Sequence, residues 1–252
     1  MSEGSLVFGL HAVRTLLQQR PERASVLLLQ KGREDARATE LQQIAQSVGV
    51  KIEWRDAREL EKLSGSEHHQ GACLLIKPMG PIGEGALDEL LDRTANPLLL
   101  VLDGVQDPHN LGACLRTAEG AGVAAVIVPR DRAAGLSPTV RKVASGAAET
   151  MPLIQVTNLA RTLRWLKERQ IWIVGADDQA QSSLYQAKLS GPLALVLGAE
   201  GSGLRRLTRE TCDALVSIPM RGVVESLNVS VATGVMLYEA VRQREAEGML
   251  PA

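Results

Sequence analysis

A strand-loop-helix unit at residues 98–122, LLLVLDGVQDPHNLGACLRTAEGAG, sets the pattern for most of the chain. The apolar run at its start is typical of a strand that is buried on both faces of a parallel sheet. Similar apolar runs alternate with helical patterns along the following residues. We predict strands at Leu98–Leu102, Ala124–Val128, Ile171–Val174, Leu193–Leu197 and Leu215–Ile218. The sequence therefore predicts an α/β fold with a mostly parallel sheet and helices on both faces.

The first eighty residues have a separate αβαβαβ pattern. Helices are predicted at Phe8–Leu17, Glu34–Ser47 and Ala57–Leu63, and strands at Ser25–Gln30, Val50–Trp54 and Ala72–Ile76. The segment KPMGPIGEG that follows at 77–85 contains two prolines and three glycines, which is the composition of a linker. We expect an N-terminal domain at 1–77, a linker at 78–92 and a second domain at 93–252.

Composition and charge exclude several classes of protein. Lys plus Arg total 28 against 29 for Asp plus Glu, so the net charge supplies no general attraction to nucleic acid. Cys73, Cys114 and Cys212 lie far apart and form no ligand pattern with the four histidines, so we expect neither a metal site nor a disulfide framework. No signal-like N-terminus and no apolar run of the roughly 20 residues of a membrane span are present. We expect a cytoplasmic protein that does not bind membranes.

Three loops follow strands of the predicted sheet, at the edge where parallel α/β sheets bind ligands. They are DGVQDPHNL at 103–111, GAEGSGL at 198–204 and PMRGVVESLN at 219–228. The first loop, taken alone, is equally consistent with an ordinary connection in which Asn110 caps a helix that carries Arg116. The other two loops contribute the polar residues Glu200, Ser226 and Asn228.

The second and third loops have features of a polar cofactor site. GAEGSGL places three glycines around Glu200, but it matches neither the dinucleotide-binding fingerprint nor the phosphate-binding P-loop. Ser226 and Asn228 are ordinary helix caps, although polar side chains and free N–H groups at a helix start also suit a polar cofactor. The missing fingerprint disfavours a nicotinamide-dependent oxidoreductase, the obvious rival for such a sheet.

The three loops together resemble the motifs of the SpoU-type RNA 2'-O-ribose methyltransferases of the trefoil-knot (SPOUT) superfamily. These motifs are DPHNLGACLRTAEGAG at 107–122, LVLGAEGSGL at 195–204 and IPMRGVVESLNVSVATGVMLYEA at 218–240. The first eighty residues, with FGLHAV at 8–13 and HHQG at 68–71, resemble the family's L30e-like RNA substrate-binding domain. Over its full length the chain resembles those members that methylate a guanosine ribose in the peptidyl-transferase P loop of 23S ribosomal RNA.

The resemblance implies a C-terminal domain tied in a deep trefoil knot, an exception to the rule that protein chains avoid knots. It implies S-adenosyl-L-methionine as the cofactor, held in a bent conformation by backbone groups in the knot's loops. The residues implied to bind it are Leu197, Gly198, Ile218, Met220 and Leu227. Glycine at position 198 permits a close approach of the backbone.

The resemblance also makes Arg116 the catalytic centre, with Asn110, Glu200, Ser226 and Asn228 positioning it and the RNA. An arginine is normally protonated, with a pKa above about 12. Arg116 therefore acts either as a base helped by an RNA phosphate or as a group that orients ribose and phosphate, and the sequence leaves both open. Glu200 is better suited to fixing Arg116 or Asn110 than to serving as a base.

Two interaction surfaces are expected. RNA contacts in the N-terminal domain are predicted for Phe8, His11, Arg14, Arg33 and Arg37. The resemblance implies a homodimer through the C-terminal domain. The last predicted helix, Val229–Val241, supports this, because its apolar stretch is broader than one buried stripe needs. The residues of this stretch are Val231, Val235, Met236 and Leu237. The alternative interpretation is that this helix is buried within its own domain.

Two other functions stay open. The motifs specify the reaction and not the RNA that is read, so a transfer RNA or another ribosomal RNA site is an alternative target. An L30e-like module can also bind RNA without reaction, as in a ribosome-assembly protein. The joint presence of the five polar residues at 110, 116, 200, 226 and 228 argues for an enzyme.

Overall fold

A computed structural model gives the fold of residues 5–33, 35–77, 80, 82–131 and 133–249. Its internal contacts divide the chain into two units, residues 1–79 and 80–252. Glu34 of the second predicted helix and Pro78, Met79 and Pro81 of the predicted linker lie outside the described residues. No helix of the described ranges is long and apolar enough to cross a membrane.

The N-terminal unit is a four-stranded sheet with helices. Its strands are β1 (Ser5–Phe8), β2 (Ala24–Gln30), β3 (Lys51–Arg55) and β4 (Ala72–Ile76), and its α-helices are α1 (Leu10–Gln19), α2 (Ala36–Ser47) and α3 (Ala57–Ser64). The strand order is β1-β4-β2-β3, in which β4 runs antiparallel to both neighbours and β2 pairs with β3 in parallel. The predicted pattern omitted β1, because four residues are too few to show an alternation before Gly9 turns the chain into α1.

The described part of the second unit forms a seven-stranded sheet in which every pairing is parallel. Its strands are β5 (Ile82–Gly83), β6 (Leu98–Asp103), β7 (Ala125–Pro129), β8 (Leu153–Val156), β9 (Trp172–Ala176), β10 (Leu193–Gly198) and β11 (Ala214–Val216). Its α-helices are α4 (Ala86–Asp92), α5 (Pro108–Gly120), α6 (Pro138–Val143), α7 (Ala147–Thr150), α8 (Leu159–Glu168), α9 (Arg206–Thr211) and α10 (Val229–Ala246). The predicted α/β class with a parallel sheet is confirmed.

Helices cover both faces of this sheet. Successive side chains of β6 point to opposite faces, so Leu100 is buried with residues of α5 and α10, whereas Leu99 is buried with residues of α4 and α8. Both faces are therefore closed to water, which explains why the first five residues of β6 and of β10 are all apolar instead of alternating with polar ones.

Two boundary predictions differ from the structure. The second half of the expected linker forms β5 and α4, because Leu87 and Leu91 lie one helical turn apart and are buried in the second unit. Asn110 is not a helix cap: α5 begins earlier, at Pro108, and the Asp107 side chain caps it by accepting a hydrogen bond from the His109 N–H at 3.1 Å. Proline at the first helical position favours this earlier start.

The strand order brings the loops of interest to one edge. The order is β11-β9-β10-β6-β7-β8-β5, so the carboxyl ends of β6, β9, β10 and β11 lie next to one another. After β10 the chain passes to the edge strand β11 and then returns as α10, which packs against α5. This outward and returning path lies in the segment where the resemblance implies the knot.

Candidate functional site

A cavity of about 500 Å³ lies at the carboxyl ends of β9, β10 and β11. All five residues predicted to bind the cofactor line it: Leu197, Gly198, Ile218, Met220 and Leu227. Glu200 and Ser226 line it as well. Strand ends supply the apolar walls and loops supply the polar groups, which is the usual construction of a small-molecule site.

The loop from Gly198 to Leu204 is folded tightly against its own start. A Cβ atom at position 198 would lie 2.1 Å from the carbonyl carbon of Gly203, so no other residue fits without moving the backbone. The Gly203 N–H donates to the carbonyl of Ala199 at 2.9 Å, and Gly201 has a φ of 76°, in the left-handed region. The glycine spacing of GAEGSGL therefore builds one wall of the cavity.

Three of the predicted catalytic residues meet through Asn228. The Asn228 Nδ2 donates to Asn110 Oδ1 at 2.9 Å and also to Glu200 Oε1. The Val229 N–H donates to the same Glu200 oxygen at 3.3 Å. The Asn228 Oδ1 caps α10 by accepting from the Ser230 N–H at 2.9 Å. One side chain thus joins α5, the glycine loop and the start of α10.

Arg116 and Ser226 lie outside this hydrogen-bonded group. Arg116 is exposed on α5, and its Nη1 donates to Ser145 Oγ at 3.4 Å. Ser226 is exposed on the rim of the cavity. The Glu200 carboxylate contacts Asn228 and not Arg116 among the described hydrogen bonds. The Arg116 guanidinium is therefore accessible to a ligand that approaches from solvent.

The thiols are not poised as nucleophiles. Burial raises the pKa of Cys73 and of Cys114 to about 11, and burial together with the nearby Asp213 raises that of Cys212 to about 12. Each thiol is consequently protonated near pH 7, and the thiolate is the reactive form. In the part of the chain that the structure describes, no group of three His, Cys, Asp or Glu side chains is arranged to hold a metal ion.

Sequence reasoning missed two ion pairs at this edge of the sheet. Asp103, the last residue of β6, is buried against Arg205, and Asp177, which follows β9, pairs with Arg209. Asp177 and Arg209 also line the cavity. The sequence did contain a signal for these pairs, because each has an acidic residue at the end of an apolar strand. A carboxylate buried there requires a charged or hydrogen-bonding partner.

The N-terminal unit has a smaller cavity of about 280 Å³ between α1 and α2. His11, Arg14 and Arg37 line it, which are three of the five residues predicted to bind RNA, and Arg14 pairs with Glu40 at 3.3 Å. Arg33 lies elsewhere: it forms an ion pair with Asp35 and donates to the carbonyl of Gln70. Phe8 ends β1 and is half-buried.

Comparison with known proteins yields a match over almost the whole chain. The profile of the SpoU rRNA methylase family matches residues 97–238, and the profile for RNA 2'-O ribose methyltransferase substrate binding matches residues 6–81. The 23S rRNA (guanosine-2'-O-)-methyltransferase RlmB of Vibrio vulnificus is 55% identical over 95% of this chain and 97% of its own length. The enzyme of the same name from Escherichia coli K12 is 55% identical over 97% of this chain and all of its own.

Solved structures agree on the fold. The SpoU methyltransferase AviRb from Streptomyces viridochromogenes, crystallised with AdoMet, has a TM-score of 0.71 at 24% identity and covers 96% of this chain and 90% of its own. A crystal structure of an RNA 2'-O ribose methyltransferase has a TM-score of 0.67 at 28% identity, covering 95% of this chain and 88% of its own. The chain therefore belongs to the SpoU rRNA methylase family.

Proposed function

We propose that this protein transfers the methyl group of S-adenosyl-L-methionine to the ribose 2'-hydroxyl of a guanosine in the peptidyl-transferase P loop of 23S ribosomal RNA. The observation that carries the proposal is the cavity at the carboxyl edge of the sheet, with the Asn110–Asn228–Glu200 group beside it. Relatives that match over nearly their full length are named for 2'-O-methylation of a 23S rRNA guanosine.

The cavity fits S-adenosylmethionine in size and chemistry. A volume of about 500 Å³ is in the usual range for a cofactor site, roughly 300–1,000 Å³. Leu197, Ile218, Met220 and Leu227 provide apolar contact area for an adenine ring, and Gly198 leaves its backbone accessible. The carboxylates of Asp178 and Glu225 on the cavity wall suit a cation such as the sulfonium. When bound, the cofactor supplies an activated methyl group.

The chain's own residues align the acceptor. Methyl transfer to a hydroxyl requires an in-line arrangement, and orientation alone can lower a barrier substantially. Asn228 holds Glu200 and Asn110 in one fixed position. The exposed Arg116 guanidinium, with its planar set of N–H donors, is suited to bind an RNA phosphate and the neighbouring ribose. In this proposal Arg116 is the catalytic residue, and Asn110, Glu200, Ser226 and Asn228 position it and the RNA.

The N-terminal unit is proposed to select the RNA. Arg14 and Arg37 beside its cavity supply local positive charge, which a chain with a net charge of -1 needs in order to hold phosphates, and the His11 ring can add a hydrogen bond. Phe8 and Arg33 complete the proposed contact set. We propose a cytoplasmic location, which a ribosomal RNA substrate supports.

We also propose a homodimer through the C-terminal domain. Met236 and Leu237, two residues of the expected stretch, are fully buried within their own domain. The other two residues of the expected stretch remain available: Val231 is 51% exposed and Val235 is half-buried, and Tyr238, which is 53% exposed, continues the row at helical spacing. An exposed apolar row on the last helix is suited to pair with the same row of a second copy.

The dimer is tested by sedimentation equilibrium on the full chain. The wild-type protein is expected to sediment as a dimer, and Val231→Glu as a monomer, because a charge would be buried without a partner. Val223→Glu changes a fully exposed residue of the 217–228 loop and is expected to leave the dimer intact. A monomeric wild-type protein, or a dimeric Val231→Glu variant, would contradict the proposal.

The reaction and its target are tested by mapping 2'-O-methylation on total RNA from cells with and without this protein. Deletion is expected to remove methylation from one guanosine of the 23S P loop, and the wild-type gene is expected to restore it. Loss of methylation at a transfer RNA or another ribosomal RNA position would show that the enzyme has a different target. An unchanged methylation map would refute the enzymatic function.

The role of Arg116 is tested by single-turnover methylation. Arg116→Ala is expected to lower the rate by about 100- to 10,000-fold, while the affinity for S-adenosylmethionine changes by less than about threefold, because Arg116 is not among the residues that line the cavity. Arg116→Lys should also be slow, since an ammonium lacks the planar fork. Arg93→Ala, at a site with an 81% exposed side chain, is the control. A near-normal rate for Arg116→Ala would show that Arg116 is not a catalytic residue.

A further inference from the structure

Asp103 is the most deeply buried carboxylate at the carboxyl edge of the sheet. It is the last residue of β6, it is 1% exposed, and it lies opposite Gly198 in the pairing of β6 with β10. Arg205 satisfies both of its oxygens. The Arg205 backbone N–H donates to Oδ2 at 3.0 Å, and its Nε donates to Oδ1 at 2.5 Å, with Nη2 beside the same oxygen.

This ion pair closes the glycine loop. The loop leaves β10 at Gly198, opposite Asp103, and the residue at its other end, Arg205, is bonded to Asp103. Both ends of the loop are thus fixed at the end of one central strand. Within the loop, glycines at 201 and 203 adopt positive φ values, so the sequence itself gives little stiffness. The hydrogen bond from the Gly203 N–H to the Ala199 carbonyl sets the loop's internal fold, and the anchor at Asp103 ties that folded loop to the end of β6.

Glu200 lies inside the closed loop. Its Oε1 accepts from Asn228 Nδ2 and, at 3.3 Å, from the Val229 N–H. A shift of the loop by about one ångström would break the contact with the Val229 N–H and weaken the one with Asn228. A continuous series of contacts therefore runs from Asp103 through Arg205 and the loop to Glu200 and Asn228.

We propose that Asp103 and Arg205 are positioning residues for methyl transfer. Their ion pair holds loop 198–205 so that Glu200 reaches Asn228 and the loop keeps its shape as a wall of the cavity. Arginine suits this task, because its Nε and Nη2 converge on the same Asp103 oxygen from a rigid planar group and so fix direction as well as distance. Arg205→Ala removes the guanidinium contacts and leaves only the backbone N–H bond to Asp103, so the loop is held less firmly while Glu200, Asn228 and Arg116 stay chemically intact. The expected effect on the methylation rate rests on the proposed function. The expected effect on the position of the loop rests on the contacts alone.

The kinetic test combines Arg205→Ala with Glu200→Ala. Single-turnover methylation by Arg205→Ala is expected to fall about 10-fold or more in the wild-type background and less than about twofold in the Glu200→Ala background, since the pair acts through Glu200. Arg206→Ala, whose partner Glu210 lies on the same helix, is the control and is expected to keep the wild-type rate. A purely structural role would instead give equal losses in both backgrounds, which would overturn the proposal.

A second, conservative variant is needed because substitutions at the buried Asp103 disturb the fold as well as the loop. Asp103→Asn leaves Arg205 without its carboxylate and can unfold the chain, so Arg205→Lys is measured beside it. Arg205→Lys keeps the charge but loses the fork, and its rate is expected to lie between those of the wild type and Arg205→Ala. A rate for Arg205→Lys below that of Arg205→Ala would contradict positioning through the fork.

A readout independent of activity separates this proposal from the proposed function. The NMR signal of the Asn228 side-chain amide, assigned by its loss in Asn228→Asp, is expected to shift in Arg205→Ala toward the position it takes in Glu200→Ala. An unmoved signal would overturn the positioning role even in an active enzyme. If the wild-type protein methylates no RNA but the Asn228 signal still shifts in Arg205→Ala, the proposed function is refuted and the positioning of the loop by Asp103 and Arg205 is still supported.

Discussion

The close approach of Gly203 to Gly198 is the constraint on which the candidate site depends. Because a Cβ at 198 would lie 2.1 Å from the Gly203 carbonyl carbon, the loop after β10 can fold back only where glycine ends the strand. That fold places Glu200 beside the start of α10 and leaves the backbone of the strand end facing the cavity. The other contacts of the site follow from this geometry.

The site is assembled from segments that are distant in sequence. Asn110 and Asn228 are separated by 118 residues and Asp103 and Arg205 by 102. They meet because β6 and β10 are neighbours in the centre of the sheet and α10 returns to pack on α5. A parallel sheet delivers all its strand ends to one edge, and the returning helix closes that edge. The fold thereby brings residues from distant segments to one site.

Sequence patterns predicted the longer apolar strands well and missed the short strands β1, β5 and β8. Strand β6 is apolar at five successive positions, whereas β5 has two residues and β8 has four, too few for a pattern to register. Because glycines and prolines precede α4, its residues were predicted to be linker, although the helix is buried on one face. The residues proposed to bind the cofactor were predicted through their resemblance to family motifs. The Asp103–Arg205 pair carried no motif and became visible only when the fold brought the two residues together.

The most direct test of the account is calorimetric titration of S-adenosylmethionine into the wild-type protein, Gly198→Ala and Gly222→Ala. Position 222 lies in the loop before α10, and an added Cβ there meets nothing within 4 Å. The account predicts binding by the wild type, binding within about threefold by Gly222→Ala, and a loss of about 100-fold or more, some 3 kcal/mol, in a folded Gly198→Ala. Wild-type affinity in Gly198→Ala, or no binding by the wild type, would contradict it.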